Sequence, residues 1–187
     1  MSLSVGQLLA LWLWLGGVLL VASPALAQPT DGVRDSAAKA VSLYRFCAFV
    51  SWPSSAFRNP ADPLVIGVLG DEAVAADLEQ VVAGRLVAGR PVIVRRVVEP
   101  GAERGLHMLF LGRQRDAKLR RLLAKVDGPV LTVTDQQGAL AVGSVINFVN
   151  EQGRIRFSAS LTAAEQRSLR LSTRLLAVAY HVEGRSR

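Results

Sequence analysis

The sequence predicts an α/β fold: a three-layer α/β/α sandwich with a mostly parallel sheet and an antiparallel C-terminal hairpin. Three observations carry this. From residue 64 onward, short apolar runs alternate with helical patterns, a rhythm that produces parallel strands covered by helices on both faces. The run Leu-Val-Ile-Gly-Val-Leu at Leu64–Leu69 is apolar without alternation, as expected of a strand buried on both faces. Near the end, two short β-rich runs flank Asn150-Glu151-Gln152-Gly153, a hairpin signal.

The elements follow in order. Over residues 35–50, Ala37, Val41, Tyr44 and Ala48, with Ala40, Leu43, Cys47 and Val50, recur at spacings of three and four, which predicts an amphipathic helix. Ser51-Trp52-Pro53 ends it, because a residue before proline is pushed out of the α region. After the first buried strand, Asp71 is placed to cap a helix over 72–83. Residues 92–98 are β-branched but contain Arg95 and Arg96, which suits a strand near the sheet edge. Met108–Leu111 reads as a short central strand. Residues 113–125 read as a helix with Leu119, Leu122 and Leu123 inward, and 130–134 as a strand stopped by Asp135. The hairpin strands are 144–149 and 154–158, and a helical pattern over 162–180 breaks near 170–172.

Residues 1–27 carry no charged side chain, and 8–22 form a nearly unbroken apolar run followed by Pro24 and Ala25-Leu26-Ala27. That is the layout of a cleavable secretory signal peptide, although no Lys or Arg precedes the apolar run. The alternative, an uncleaved anchor, needs about 17–25 spanning residues, more than this run supplies. The expected organisation is therefore a signal peptide over 1–27, a short leader over 28–34 and one domain over 35–182, exported from the cytoplasm and not membrane-spanning once the signal is removed.

The chain has 22 basic and 15 acidic residues, a formal charge of +7, and all but Lys39, Lys118 and Lys125 of the basic residues are arginine. Arginines grip anions by paired hydrogen bonds, but such a bias also arises from base composition alone. An exported chain without aromatics interleaved along a basic stripe is not expected to bind nucleic acid. Cys47 cannot form an internal disulfide; it reads as a buried thiol or an intermolecular bridge.

No catalytic constellation emerges. Asp71 and Glu72 suit the first acidic slot of a phosphoacceptor site, but the central strand ends in Leu111-Gly112-Arg113 without an acid, and Asp135 has no lysine nearby in sequence. His107 and His181 lack partners at metal-ligand spacing, so no metal is expected. There is no Gly-x-Ser-x-Gly elbow and no glycine-rich phosphate loop, so neither a hydrolase nor a bound cofactor is expected. Arg113 and Arg115 open a helix, where cations oppose the dipole; an anion held there would relieve this, but the preferred reading is solvated arginines on an exposed turn.

Taken together, the helix 37–46 running into Phe49-Val50-Ser51-Trp52-Pro53, Leu64–Leu69 with Gly70-Asp71, Gly89-Arg90-Pro91-Val92, His107-Met108-Leu109-Phe110-Leu111, residues 129–135, Ile146-Asn147-Phe148-Val149, Arg154-Ile155-Arg156-Phe157 and residues 171–176 resemble the YfiR family of small periplasmic proteins. The match covers nearly all of 36–180. The resemblance implies a non-enzymatic regulator that restrains a membrane-bound diguanylate cyclase by binding its periplasmic sensor domain, lowering cyclic-di-GMP, and that tends to form a homodimer. Two positions depart from the family. Cys47 stands alone where some relatives carry cysteine pairs, which puts redox control in doubt. Ser144 follows Gly143 where the family often has a second glycine.

A regulator of this kind needs an exposed apolar or mixed patch. Residues 136–145 offer one, with Gly138, Leu140, Val142 and Gly143 as expected partner contacts; a packed connector is the equal alternative. Asn147, inside an apolar strand, must find hydrogen-bond partners, and Phe157 is expected in the core. Arg156 and Arg174 lie inside the matching segments and are the expected contacts for an anionic ligand or a partner carboxylate. A second functional reading is a periplasmic protein whose small ligand, a nucleotide or other anion, is itself the signal.

Overall fold

The computed structural model describes residues 31–99 and 105–184; the signal-peptide expectation lies outside the described residues. The chain begins with helix α1 (Asp31–Phe49), which leads directly into a two-residue strand β1 (Val50–Ser51). Then come β2 (Leu64–Leu69), α2 (Glu72–Val82), β3 (Leu86–Val87), β4 (Arg90–Arg96), β5 (Met108–Leu111), α3 (Asp116–Ala124) and β6 (Leu131–Thr134). The C-terminal part holds β7 (Ile146–Glu151), β8 (Arg154–Ser160), α4 (Leu161–Gln166), β9 (Arg170–Leu171), α5 (Thr173–Ala177) and β10 (His181–Glu183).

Among the described residues the main sheet has eight strands in the order β10-β8-β7-β6-β5-β2-β4-β3. Strands β4, β2, β5, β6 and β7 run parallel, β8 returns antiparallel to β7, and β10 lies parallel to β8. Period-two alternation assigns the two faces. Ile66, Val68, Met108, Phe110, Leu131, Val133, Ile146 and Phe148 pack beneath α1 and α2 in the larger core. Leu109 and Leu111 pack beneath Leu119, Leu122 and Leu123 of α3 on the other side. The three-layer α/β/α expectation holds.

Local chemistry explains the boundaries. Asp71 accepts a hydrogen bond from the Val74 N–H at 3.0 Å and caps α2 as expected. Helix α3 starts at Asp116, not at 113, because Arg115 has extended backbone angles and serves as its N-cap residue. The arginines therefore precede the helix and do not form its first turn. Helix α1 begins at Asp31, inside the segment expected to be a leader. The expected helical stretch 162–180 is instead two short helices with β9 between them, followed by the unanticipated strand β10. Ser168 adopts a left-handed φ of 56°, which stops α4, and β9 pairs antiparallel with β1, tying the end of α1 to the C-terminal region. The β3–β4 hairpin was also not legible. Its turn residues Ala88 and Gly89 both have positive φ, the mirror-image turn that suits strand twist, but Ala-Gly is a weaker signal than Asn-Gly.

Cys47 is buried and donates to the Leu43 carbonyl at 3.5 Å, and burial pushes its thiol pKa up to about 12. Reactivity belongs to the thiolate. Native protein should therefore resist iodoacetamide at neutral pH and react fully only in denaturant; rapid native labelling, followed by mass spectrometry, would contradict this burial.

His107 lies beneath the 54–63 segment. Its Nδ1 accepts from the Val65 N–H at 3.1 Å and its Nε2 meets the Ala56 carbonyl at 3.0 Å, which places the proton on Nε2. Phe57 stacks on the ring at 4.2 Å, and the Arg90 guanidinium lies over Phe57. Burial is the main reason the His107 pKa falls below its ordinary 6.5, with the positive charge of Arg90 adding to it. Above 6.5 both folded and unfolded forms are neutral and His107 makes no pH-dependent contribution. Below it the unfolded chain takes a proton that the folded site refuses, so stability falls until the folded pKa is passed. Wild type should lose more melting temperature than His107→Gln between about pH 7.5 and about pH 5.5. Equal losses would sink the assignment.

Candidate functional site

In open α/β sheets ligands settle outside the carboxyl ends of the strands, at the point where strand order reverses. Here the reversal falls between β2 and β5, since β2 is followed by β4 on one side and by β5 on the other. That crevice is filled. Gly112 sits so close to Gly70 that a Cβ would lie 2.7 Å from the Gly70 carbonyl oxygen, and the Gln114 amide occupies the space above Gly70. Asp71, one of the acids considered for a phosphoacceptor site, is held here as a helix cap.

The open space lies farther along the sheet. β6 ends at Thr134 opposite Asn147, whereas β7 continues to Glu151, so the flank of β7 beyond Asn147 has no neighbouring strand among those described. The first turns of α1 and the 137–141 segment wall off this flank, leaving a cavity of about 540 Å³. α1 contributes Asp35 and Lys39, the end of β6 contributes Asp135, and β7 contributes Asn147 and Val149. Ser158 of β8 stands opposite His181 of β10, and Glu183 lies two residues farther along the same wall.

The charged centre of this wall is an ion pair joining residues 96 apart in sequence. Lys39 Nζ lies 2.6 Å from Asp135 Oδ2, and the two side chains are only 13% and 8% exposed. The other carboxylate oxygen, Asp135 Oδ1, is buried without a hydrogen-bond partner. Behind it is a satisfied polar cluster. The Asn147 side-chain oxygen accepts from Thr134 Oγ1 at 2.8 Å and from the Gln136 N–H at 3.1 Å, which meets the need expected for an asparagine in an apolar strand. Ser144 donates to the Ile146 carbonyl at 2.8 Å, and the Val145 N–H donates to Thr132 Oγ1 at 3.1 Å. A glycine at 144 would lose this hydroxyl. These bonds anchor the two ends of the 136–145 connector, at Gln136 and at Ser144–Val145.

The residues singled out from sequence fall in several places. Gly138 and Leu140 line the cavity. Val142 packs against the α3-side core, and Gly143 takes the left-handed conformation (φ 99°) that ends the short 3-10 turn at Leu140–Val142. Within the connector Ala139, Ser144 and Val145 are buried, while Gln137, Gly138 and Ala141 are exposed at the edge that faces the cavity. Arg156 stands on β8, its guanidinium 5.8 Å from the centre of the Tyr180 ring and 3.6 Å from the Glu151 carboxylate. Arg174 is exposed on α5, and neither arginine lines the cavity. Phe157 packs edge-on against Phe46, beside the core.

Sequence reasoning missed Lys39, Asp35, His181 and Glu183, and treated Asp135 only as a strand stop lacking a lysine. The lysine is supplied by α1. The available signal was Lys39 itself, flanking the apolar stripe of Ala40 and Leu43. His181, considered from sequence only as a metal ligand without partners, is on strand β10. Among the described residues no three His, Cys, Asp or Glu side chains converge as a metal site, and no helix is long and apolar enough to cross a membrane.

The fold and cavity thus define a doubly wound α/β domain with a mixed-charge cavity at β6 and β7, away from its filled switch point. The chain matches the YfiR/HmsC-like family over residues 36–180 and belongs to it. That family consists in general of periplasmic regulators of diguanylate cyclases. A search of curated proteins returned no match.

Proposed function

We propose that this protein is a non-enzymatic periplasmic regulator that binds the periplasmic sensor domain of an inner-membrane diguanylate cyclase, represses the enzyme and lowers cyclic-di-GMP. The observation that carries this reading is the family match, which runs from the first turns of α1 to the segment before β10 and so takes in every strand of the sandwich except β10. The Gly138–Leu140 edge of the connector is the proposed partner contact, with Val142 and Gly143 shaping it from behind. Homodimerisation is part of the same proposal. With Cys47 buried and alone, repression in this protein operates without a thiol switch.

The test is a deletion strain that retains the partner cyclase. Cyclic-di-GMP and surface attachment should both rise, and complementation should restore them. Unchanged cyclic-di-GMP in the deletion strain would sink the proposal.

A second reading, a small-ligand protein, is favoured by the cavity around Asp135. Of the arginines considered for an anion, Arg113 lines this cavity, whereas Arg156 and Arg174 stand outside it.

A further inference from the structure

The main sheet ends in two edge strands that differ in kind. β3 is two residues long and closes the β4 side. β10 closes the other side, pairs parallel with β8, and has no strand on its outer flank among the described residues. Such an edge offers unpaired backbone donors and acceptors, which natural sheets blunt with charge, proline or cover. β10 instead carries one ionisable residue at each end, His181 and Glu183, around a central valine. Among the described residues neither of these two side chains has a hydrogen bond or an ion pair. The approach to the strand is apolar and exposed. Val178 is 62% and Tyr180 52% exposed, two of the four large apolar side chains that the described residues leave in solvent.

The strand is complementary to itself. In an antiparallel pair centred on Val182, that residue faces its own copy, and His181 faces Glu183 once on each side of the two-fold axis. Residues directly opposite on paired strands stabilise the pair when their charges differ and oppose it when they match. Moving the centre by one residue in either direction loses this: His181 would face itself, or two Glu183 carboxylates would meet. In the charge-matched register Tyr180 faces Gly184, which has no side chain to compete for the space beside the ring. Pairing of identical edges closes on itself, whereas β10 against β3 would run head-to-tail and propagate. We infer that a second copy of this chain docks on β10, the two strands pairing antiparallel about Val182 so that the two sheets become one. The inference rests on the homodimer proposed above and assigns its surface. His181 and Glu183 also line the cavity beside β7, so the dimer sets each copy's cavity wall against its partner's.

The test is sedimentation equilibrium of the purified protein with a charge-swap series. Wild type should sediment as a dimer. Glu183→Lys sets a cation opposite His181 twice and should weaken self-association by at least about fivefold. His181→Glu/Glu183→Lys restores opposite charges in the same register and should return the affinity to within about threefold of wild type. Both side chains lack partners within the chain, so circular dichroism of the variants should match wild type. Val182→Cys reads position. Residues directly opposite in an antiparallel pair have Cα atoms about 4.5–5.5 Å apart, within disulfide reach. Mild oxidation should cross-link this variant as a dimer, while Leu86→Cys, exposed on the other edge of the sheet, should stay uncross-linked. Cys47 is buried and does not compete. A monomer at every concentration would overturn both the dimer and its surface. A dimer unchanged by Glu183→Lys, a swap that fails to restore what Glu183→Lys loses, or a Val182→Cys that cross-links no better than Leu86→Cys would overturn the surface and leave homodimerisation standing. None of these results touches the cyclase proposal, which is read from cyclic-di-GMP in the deletion strain.

Discussion

Replacing Lys39 by methionine is expected to destabilise the protein by about 3 kcal/mol. Both members of the Lys39–Asp135 pair are nearly out of solvent, and one oxygen of Asp135 already lacks a partner. Removing the ammonium leaves a buried carboxylate with no compensating charge, a loss of about 3–5 kcal/mol in comparable pairs. The intact pair itself contributes far less, because desolvating two charges offsets most of their attraction. The double variant Lys39→Met/Asp135→Leu should therefore recover most of the stability. Urea denaturation of the wild type, both single variants and the double variant gives the cycle. A Lys39→Met loss below about 0.5 kcal/mol would show that the pair is solvated and that the cavity wall is not held as described.

Phe110→Ala should cost about 3–5 kcal/mol, a penalty that combines lost transfer energy with the cavity left behind. Phe110 is fully buried at the centre of the sheet on β5, flanked by Val68 and Val133 in register, and its ring meets Phe148 edge-to-face at 6.1 Å. By contrast Leu86→Ala, at a residue 58% exposed on the edge strand β3, should change stability by no more than about 0.5 kcal/mol. If the two variants unfolded at similar urea concentrations, the assignment of the core would be wrong.

What could be read from the sequence was what local chemistry dictates. Leu64–Leu69 and Met108–Leu111 have unbroken apolar runs, and the structure keeps those bounds. Asp71 before Glu72 announces a helix start, and it is the cap. The misreadings arise where long-range pairing overrides local pattern. The 162–180 stretch carries helical periodicity, but β9 forms because β1 offers Val50 and Ser51 as partners, and β10 forms because β8 has a free side. The cavity was hidden for the same reason. Lys39 looked like the solvated flank of an amphipathic helix, and Asp135 looked like a strand stop. Only the packing of α1 across the end of β6 brings them together. Conversely, Arg156 and Arg174 drew attention through their place in family-matching segments, yet they stand on different elements outside the cavity. The edge of the 136–145 connector was legible as glycine-flanked and apolar; that Ala139 and Val142 turn inward was not, because it depends on where α3 lies.

The central claim is that this protein acts on a cyclase through the cyclase's periplasmic sensor domain. The most direct measurement places the partner cyclase in proteoliposomes with its sensor domain outward and its catalytic domain supplied with GTP inside. Purified protein is then added only to the outer solution. Cyclic-di-GMP synthesis should fall in a saturable manner, and it should not fall for a cyclase lacking the sensor domain. Synthesis that continues at the same rate with the sensor domain present, at protein concentrations well above those in the periplasm, would contradict the account.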